Sequence, residues 1–181
     1  MPDTPQTAPP LAKAETVKRQ SRQLRGSIAE TLRDGGTAIF GEDDANLLKF
    51  HGIYQQYDRD TATERKQRGE DKDHRLMARL RVPAGRLTAA QYLRLDALAD
   101  SLGNGTLRVT TRQTFQFHGV LKGDLHTLIE RINAELLTTF ASCGDVVRNV
   151  TAGPAPIKDA EHALLDRAAE TLSWHLLPRT G

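Results

Sequence analysis

Residues 106–120 read Thr-Leu-Arg-Val-Thr-Thr-Arg-Gln-Thr-Phe-Gln-Phe-His-Gly-Val, two short alternating runs separated by a polar break. Leu107 and Val109 alternate with Arg108 and Thr110; beyond the break, Phe115 and Phe117 alternate with Gln116 and His118. A period of two in both runs calls for half-buried strands, and residues 111–114 make the connection, so the stretch predicts a β-hairpin. Successive strand side chains point to opposite faces. Leu107, Val109, Phe115 and Phe117 therefore share one face, and Arg108, Thr110, Gln116 and His118 the other, with Arg112 at the turn. The first face is built for a core, whereas the second is dressed for an anion.

The surrounding chain supplies partners for this hairpin. Leu76, Ala78, Leu80 and Val82 have one parity, Met77, Arg79 and Arg81 the other, and Pro83-Ala84-Gly85 ends that strand. Thr88 is the expected N-cap of a helix with Tyr92, Leu95, Leu98, Ala99 and Leu102 on one side, stopped by Gly103-Asn104-Gly105. Asp124 caps a second helix with a stripe of Leu125, Leu128, Ile129, Ile132 and Leu136, after which 140–150 reads as an irregular strand and loop. Strand, helix, strand, strand, helix, strand is the split βαβ order. The fold class is α+β, a ferredoxin-like half-domain over 74–150 with both helices on one sheet face. The parity rule then leaves Arg79, Arg81, Arg108, Gln116 and His118 together on the open face, with Arg112 beside them.

Flanking segments carry less signal. Residues 1–20 begin rich in Pro and Thr and are expected to be a disordered tail. An N-terminal extension follows over 21–73. It holds a helix within 19–34 around Leu24, Ile28 and Leu32, a strand-like run over 46–57 with a bulge or turn at Gly52, and a highly charged loop or exposed helix over 58–73. His51 is expected to be an ordinary hydrogen-bonded histidine, since no second metal ligand sits at helical spacing. Over 151–181 a Gly153-Pro154-Ala155-Pro156 linker leads to a C-terminal helix across 159–177, with Leu164, Ala168, Leu172 and Trp174 among its apolar positions.

A chain of 181 residues has room for one domain plus extensions. With 25 basic and 23 acidic residues it is no global polycation, so any anion binding must come from local placement of arginines. The single cysteine, Cys143, excludes an internal disulfide framework and any site that needs several thiolates from this chain. Neither a secretory signal nor a run of about 20 apolar residues is present, so a cytoplasmic protein without a membrane partner is expected. Arginine forks on a rigid sheet suit a ligand rich in carboxylates or phosphates. An RNA-binding sheet of this topology stacks bases on exposed aromatics. Phe115 and Phe117 have core parity here, which argues against nucleic acid unless a bulge at Gln113 reverses it.

Several segments resemble the N-terminal part of the hemoproteins of the sirohaem-dependent nitrite and sulfite reductase family, the NADPH-linked bacterial type in overall pattern. They are Arg25-Gly26-Ser27-Ile28-Ala29-Glu30 and residues 50–60, 79–83, 108–119, 146–150 and 175–180, within a resemblance that runs over 22–180. Thr-Arg-Gln-Thr-Phe-Gln-Phe-His-Gly is the longest and most specific of these matches. The resemblance implies the family's ferredoxin-like half domain and a sirohaem cofactor, a haem-like macrocycle with many carboxylates. It makes Arg79 and Arg148 the sulfite-facing catalytic arginines, and Arg108, Arg112 and His118 contacts of sirohaem, joined by Gln116 and Arg81. The implied reaction is six-electron reduction of sulfite to sulfide in sulfate assimilation and cysteine biosynthesis. Its implied partners are sulfite, the flavoprotein alpha component and the C-terminal half of the hemoprotein.

A complete family member also holds a 4Fe–4S cluster on four cysteines and a pair of active-site lysines, all in later sequence. Cys143 alone cannot hold such a cluster and is expected to be a buried, incidental thiol. The chain is therefore expected to be an N-terminal piece, a truncated product or one half of a split enzyme, inactive alone. The alternative is a noncatalytic module that binds sirohaem or docks the flavoprotein. With its arginines clustered and no ligand bound, the chain is expected to be only marginally stable.

Overall fold

The computed structural model describes residues 10–179. Four strands, β1 (Ile53–Tyr57), β2 (His74–Arg79), β3 (Leu107–Val109) and β4 (Phe115–Val120), form one antiparallel sheet in the order β1-β2-β4-β3. The hairpin pairs Leu107 with Phe117, Arg108 with Gln116 and Val109 with Phe115. Its turn is closed by Gln113 N donating to Thr110 O at 3.1 Å and Thr110 N to Thr114 O at 2.8 Å, with Gln113 at φ +55°. A turn followed by one left-handed residue absorbs the odd position inside the loop, so the parity of Phe115 and Phe117 survives. Phe117 is fully buried.

Helices α5 (Ala89–Leu102) and α6 (Leu125–Ala134) lie on the face that carries Leu76, Ala78, Leu80, Phe117 and Val120. Thr88 and Gln91 form a capping box at the start of α5, and Leu95, Leu98 and Ala99 reach the core. From α6 come Leu125, Leu128 and Ile132. Each of these leucine and isoleucine side chains stabilises the fold by about 1.5–3 kcal/mol through burial. The arrangement is ferredoxin-like, α+β in class, with both helices on one sheet face.

Several expectations fail for reasons that lie in tertiary contacts. The closing strand after α6 does not form. Arg81 and Thr138 make only an isolated bridge, and β1 occupies the sheet edge beside β2 instead. Left-handed residues at Leu136 and Ala141 interrupt the segment that was to pair. Gly52, at φ +79°, turns the chain into β1 where a Cβ would lie 2.3 Å from Thr139 O, a position only glycine fits. The run before it is helical rather than strand-like: α3 (Glu42–Leu48) continues into a 3₁₀ turn, Lys49–His51. The helix expected within 19–34 forms only over its second half, as α2 (Ile28–Arg33), and a separate helix, α1 (Lys13–Gln20), precedes it. Between them Arg22, Gln23 and Leu24 all have positive φ. That conformation costs roughly 1–2 kcal/mol per residue. It is offset by burial of Leu24 against Leu47 and Phe50, and by the Asp44 carboxylate accepting from Ser27 N at 2.9 Å and Ser27 Oγ at 2.6 Å.

Helix α1 falls in the stretch expected as a tail, whose first nine residues lie outside the described ones. The charged segment over 58–73 holds an exposed helix, α4 (Arg59–Gln67), capped by Asp58. His51 is an ordinary histidine by its contact, Nε2 lying 2.8 Å from Leu24 O. Val109 shares the core parity but is 73% exposed on the sheet edge, and Leu136, past the end of α6, is 89% exposed. Asp124 sits at the N-cap of α6 without a side-chain cap bond. In α7 (Ala160–His175) the buried positions are Ala169 and Ser173, while Leu164, Leu172 and Trp174 face outward.

Candidate anion-binding face

The register builds the open face row by row. Arg79 on β2 stands opposite Gln116 on β4, and Gln116 stands opposite Arg108 on β3, so two arginines flank one amide across three strands. With its amide oriented to satisfy both neighbours, Gln116 accepts from Arg79 Nε at 2.9 Å and donates to His118 Nε2 at 3.3 Å. His118 must then offer a lone pair at Nε2 and carry its proton on Nδ1. Burial is the main cause that lowers its pKa, and Arg108 and Arg79 push it the same way, so the ring is neutral at pH 7.

Beside this row, Tyr54 of β1 stands opposite Met77. Its hydroxyl lies near the buried Cys143 thiol, whose sulfur is 3.9 Å from Ser142 Oγ. Burial raises the pKa of both groups and outweighs the opposing pull of Arg79 and Arg148. Both remain protonated near neutrality. Arg148 donates from Nε to Gly144 O at 3.3 Å, and with Arg112 it lines a shallow concavity of about 820 Å³ whose remaining walls are Gly144, Asp145, Val146 and Val147.

Among the described residues, Arg79, Arg108, Arg112 and Arg148 have no carboxylate within 4.0 Å, whereas Arg65, Arg68, Arg75 and Arg86 each pair with one. The cations of this face are thus uncommitted. A cluster of guanidiniums without carboxylate partners is a site for an anion with several acceptor groups.

Arg81 is not part of it. The ladder of β2 ends at Arg79, and beyond it the chain is covered by α7 and by the segment after α6, which leaves Arg81 1% exposed. Its Nε donates to Ser173 Oγ at 3.0 Å, Nη1 to Ala141 O at 3.0 Å and Val147 O at 3.1 Å, and Nη2 to Ser173 O. Every acceptor is neutral. Arg81 therefore fastens the C-terminal turn of α7 to the segment that carries Arg148, and offers nothing to the open face. Sequence parity misses this because parity holds only while a strand continues.

Sequence reasoning assigns Tyr54 and Asn149 no role in the site, and Cys143 only that of an incidental buried thiol. Tyr54 and Cys143 meet only because β1 takes the edge position, and Asn149 acts through two distant segments. Among the described residues no group of three His, Cys, Asp or Glu side chains is placed to hold a metal ion. A cluster needing several thiolates does not fit on this chain. No described helix is long and apolar enough to cross a membrane. A second concavity, of about 690 Å³, opens on the helix side among Arg25, Ile28, Leu32, Leu125 and Ile129, and none of Arg79, Arg108, Arg112 or Arg148 lines it.

Residues 67–135 match the family described as the nitrite/sulfite reductase ferredoxin-like half domain. The sulfite reductase (NADPH) hemoprotein beta-component of Myxococcus xanthus (strain DK1622) is 50% identical over 171 residues, 94% of this chain and 30% of that relative. Its counterpart in Anoxybacillus flavithermus (strain DSM 21510 / WK1) is 47% identical over 176 residues, 96% of this chain and 31% of the relative. The chain thus spans about 30% of the length of the relatives it matches. Among solved structures, the NirA protein of Mycobacterium tuberculosis superimposes with a TM-score of 0.73 at 22% identity, over 93% of this chain and 32% of that one, a likeness of fold.

Proposed function

Since the chain carries the nitrite/sulfite reductase ferredoxin-like half domain and is related along nearly its whole length to sulfite reductase hemoprotein beta-components, we propose that it is the N-terminal portion of such a hemoprotein and supplies the arginine wall around sirohaem and sulfite. The observation that carries this reading is the set of four arginines on one face without carboxylate partners among the described residues, with Arg79 held by Gln116 and Arg108 opposite Gln116 in the register. Arg108, Arg112, Gln116 and His118 hold the carboxylates of the cofactor. Arg79 and Arg148 hold sulfite. Sirohaem, when bound, supplies the iron and macrocycle that pass electrons to the substrate.

The residues of this chain neutralise charge and aim hydrogen bonds. Each guanidinium–anion hydrogen bond contributes about 1.5–3 kcal/mol, and donors fixed in advance need no reorganisation as charge shifts during reduction. The neutral His118 keeps its proton at Nδ1, and Tyr54 and Cys143 keep theirs at Oη and Sγ beside Arg79 and Arg148. The 4Fe–4S ligands and the active-site lysines belong to sequence outside this chain. Turnover, with electrons from the flavoprotein alpha component, therefore needs the rest of the hemoprotein, and the setting is cytoplasmic sulfate assimilation.

The test is a sirohaem titration of the purified chain followed by visible absorbance, with Arg108→Ala/Arg112→Ala as the control. Saturable binding that the double variant loses supports the reading. No binding by the wild-type chain, or equal binding by both, overturns it.

A further inference from the structure

Arg112 lies at the tip of the hairpin turn and Arg148 in the irregular segment after α6, with no shared strand to set the distance between them. Two amide side chains join these segments. The Asn149 side chain, 3% exposed, accepts from Val82 N at 2.9 Å and donates to Val82 O at 2.7 Å and to Arg112 O at 2.8 Å. Gln113 answers from the other side, donating to Ala152 O at 2.7 Å and accepting from Ala152 N at 3.1 Å. Each amide therefore imitates a strand's backbone pairing where no strand exists. Asn149 follows Arg148 directly, and Gln113 follows Arg112 directly. The backbone of Arg112 is thus tied to the residue after Arg148, and the residue after Arg112 to Ala152 in the same downstream segment.

We infer that Asn149 and Gln113 are positioning residues that lock the Arg112 turn to the Arg148 segment and so fix the spacing of these two guanidiniums for a polyanionic ligand. The inference rests on the cofactor reading above for its ligand, but not for its geometry. Asn149 satisfies every polar atom of its amide inside the fold and leaves none for a ligand, which separates positioning from contact. Gly85 supports the arrangement: a Cβ there would lie 2.7 Å from the Gln113 Cβ, so only a glycine lets this turn settle against the chain after β2.

Two measurements on the full chain test it. The first needs no ligand: amide hydrogen exchange of Asn149→Ala and of Gln113→Gly. The second variant suits the left-handed backbone at position 113 and keeps the turn foldable. Protection is expected to fall together in 110–114 and 147–152 in either variant, with the amides of β2 and β4 unchanged. Unchanged protection in one of the two segments overturns the lock.

The second measurement is a mutant cycle read by sirohaem affinity. Asn149→Ala is expected to weaken binding about tenfold in the wild-type background, and by less than about twofold in Arg112→Ala/Arg148→Ala, because it acts only through those arginines. An equal loss in both backgrounds marks a general structural effect and overturns positioning. If the wild-type chain binds no sirohaem, the cofactor reading fails by itself, and the exchange experiment alone decides the lock.

Discussion

Arg79 and Arg81 stand two residues apart with the same parity, yet one belongs to an open cationic face and the other to a buried clamp. Arg79 lies within the ladder of β2, opposite Gln116, and meets only an amide and neutral groups that leave it free to bind an anion. Arg81 lies beyond the ladder, 1% exposed, with four hydrogen bonds to uncharged acceptors. The difference teaches that a guanidinium's role is set by what remains unsatisfied around it. Arg81 has spent its donors on the fold. The open-face arginines have kept theirs.

The largest effect that sharpens this contrast is on stability. Arg81→Ala strands the Ser173, Ala141 and Val147 carbonyls in the interior and removes packing beneath α7, which costs about 3–5 kcal/mol in urea unfolding. Arg79→Ala removes a cation from a mutually repelling set, so its unfolding free energy stays within about 0.5 kcal/mol of wild type while its sirohaem affinity falls. Equal stability losses in the two variants break the comparison. Next in size, Arg108→Ala/Arg112→Ala weakens sirohaem binding about a hundredfold and leaves the melting temperature unchanged, two charge-assisted contacts being lost.

A smaller effect is a pH dependence. The folded state holds His118 below its ordinary pKa through burial, Arg108 and Arg79, so the unfolded chain binds more protons near and below that ordinary value. Stability from this group is therefore complete above the unfolded histidine range of about 6.5 and declines as pH falls through it. His118→Gln is expected to flatten this part of the profile, compared with wild type by urea melts at pH 7 and pH 5.5; identical slopes count against a neutral His118. The smallest change comes from Arg75→Ala, whose guanidinium pairs with the partly exposed Asp73. Stability and sirohaem binding both stay within measurement error, as a surface pair is worth about 0–1 kcal/mol.

Much of this was legible where the chain is local and periodic. The hairpin, the parity of Arg108, Gln116 and His118 and the N-cap at Thr88 follow from short-range rules and are present in the fold, and of the loop or exposed helix expected in the charged segment the helix forms. What escaped depends on contacts between distant segments. Nothing near Tyr54 says that its strand takes the sheet edge that a strand after α6 was expected to fill. Val109 has the right parity, but β3 is an edge with no helix above that residue. The left-handed run at Arg22–Leu24 exists because Asp44 and the pocket around Leu47 and Phe50 hold it. Parity puts Arg81 on the open face only if alternation continues two residues past Arg79, where β2 ends. Asn149 gave no signal, because its three hydrogen bonds reach back 67 and 37 residues.

The most direct test of a preformed, uncommitted arginine face is calorimetric titration of the wild-type chain with sirohaem at low and high ionic strength, with Arg79→Ala in parallel. Saturable binding that weakens as salt rises and falls at least tenfold in Arg79→Ala is the predicted result. Binding that ignores both salt and the loss of Arg79, or no binding at any ionic strength, would contradict it.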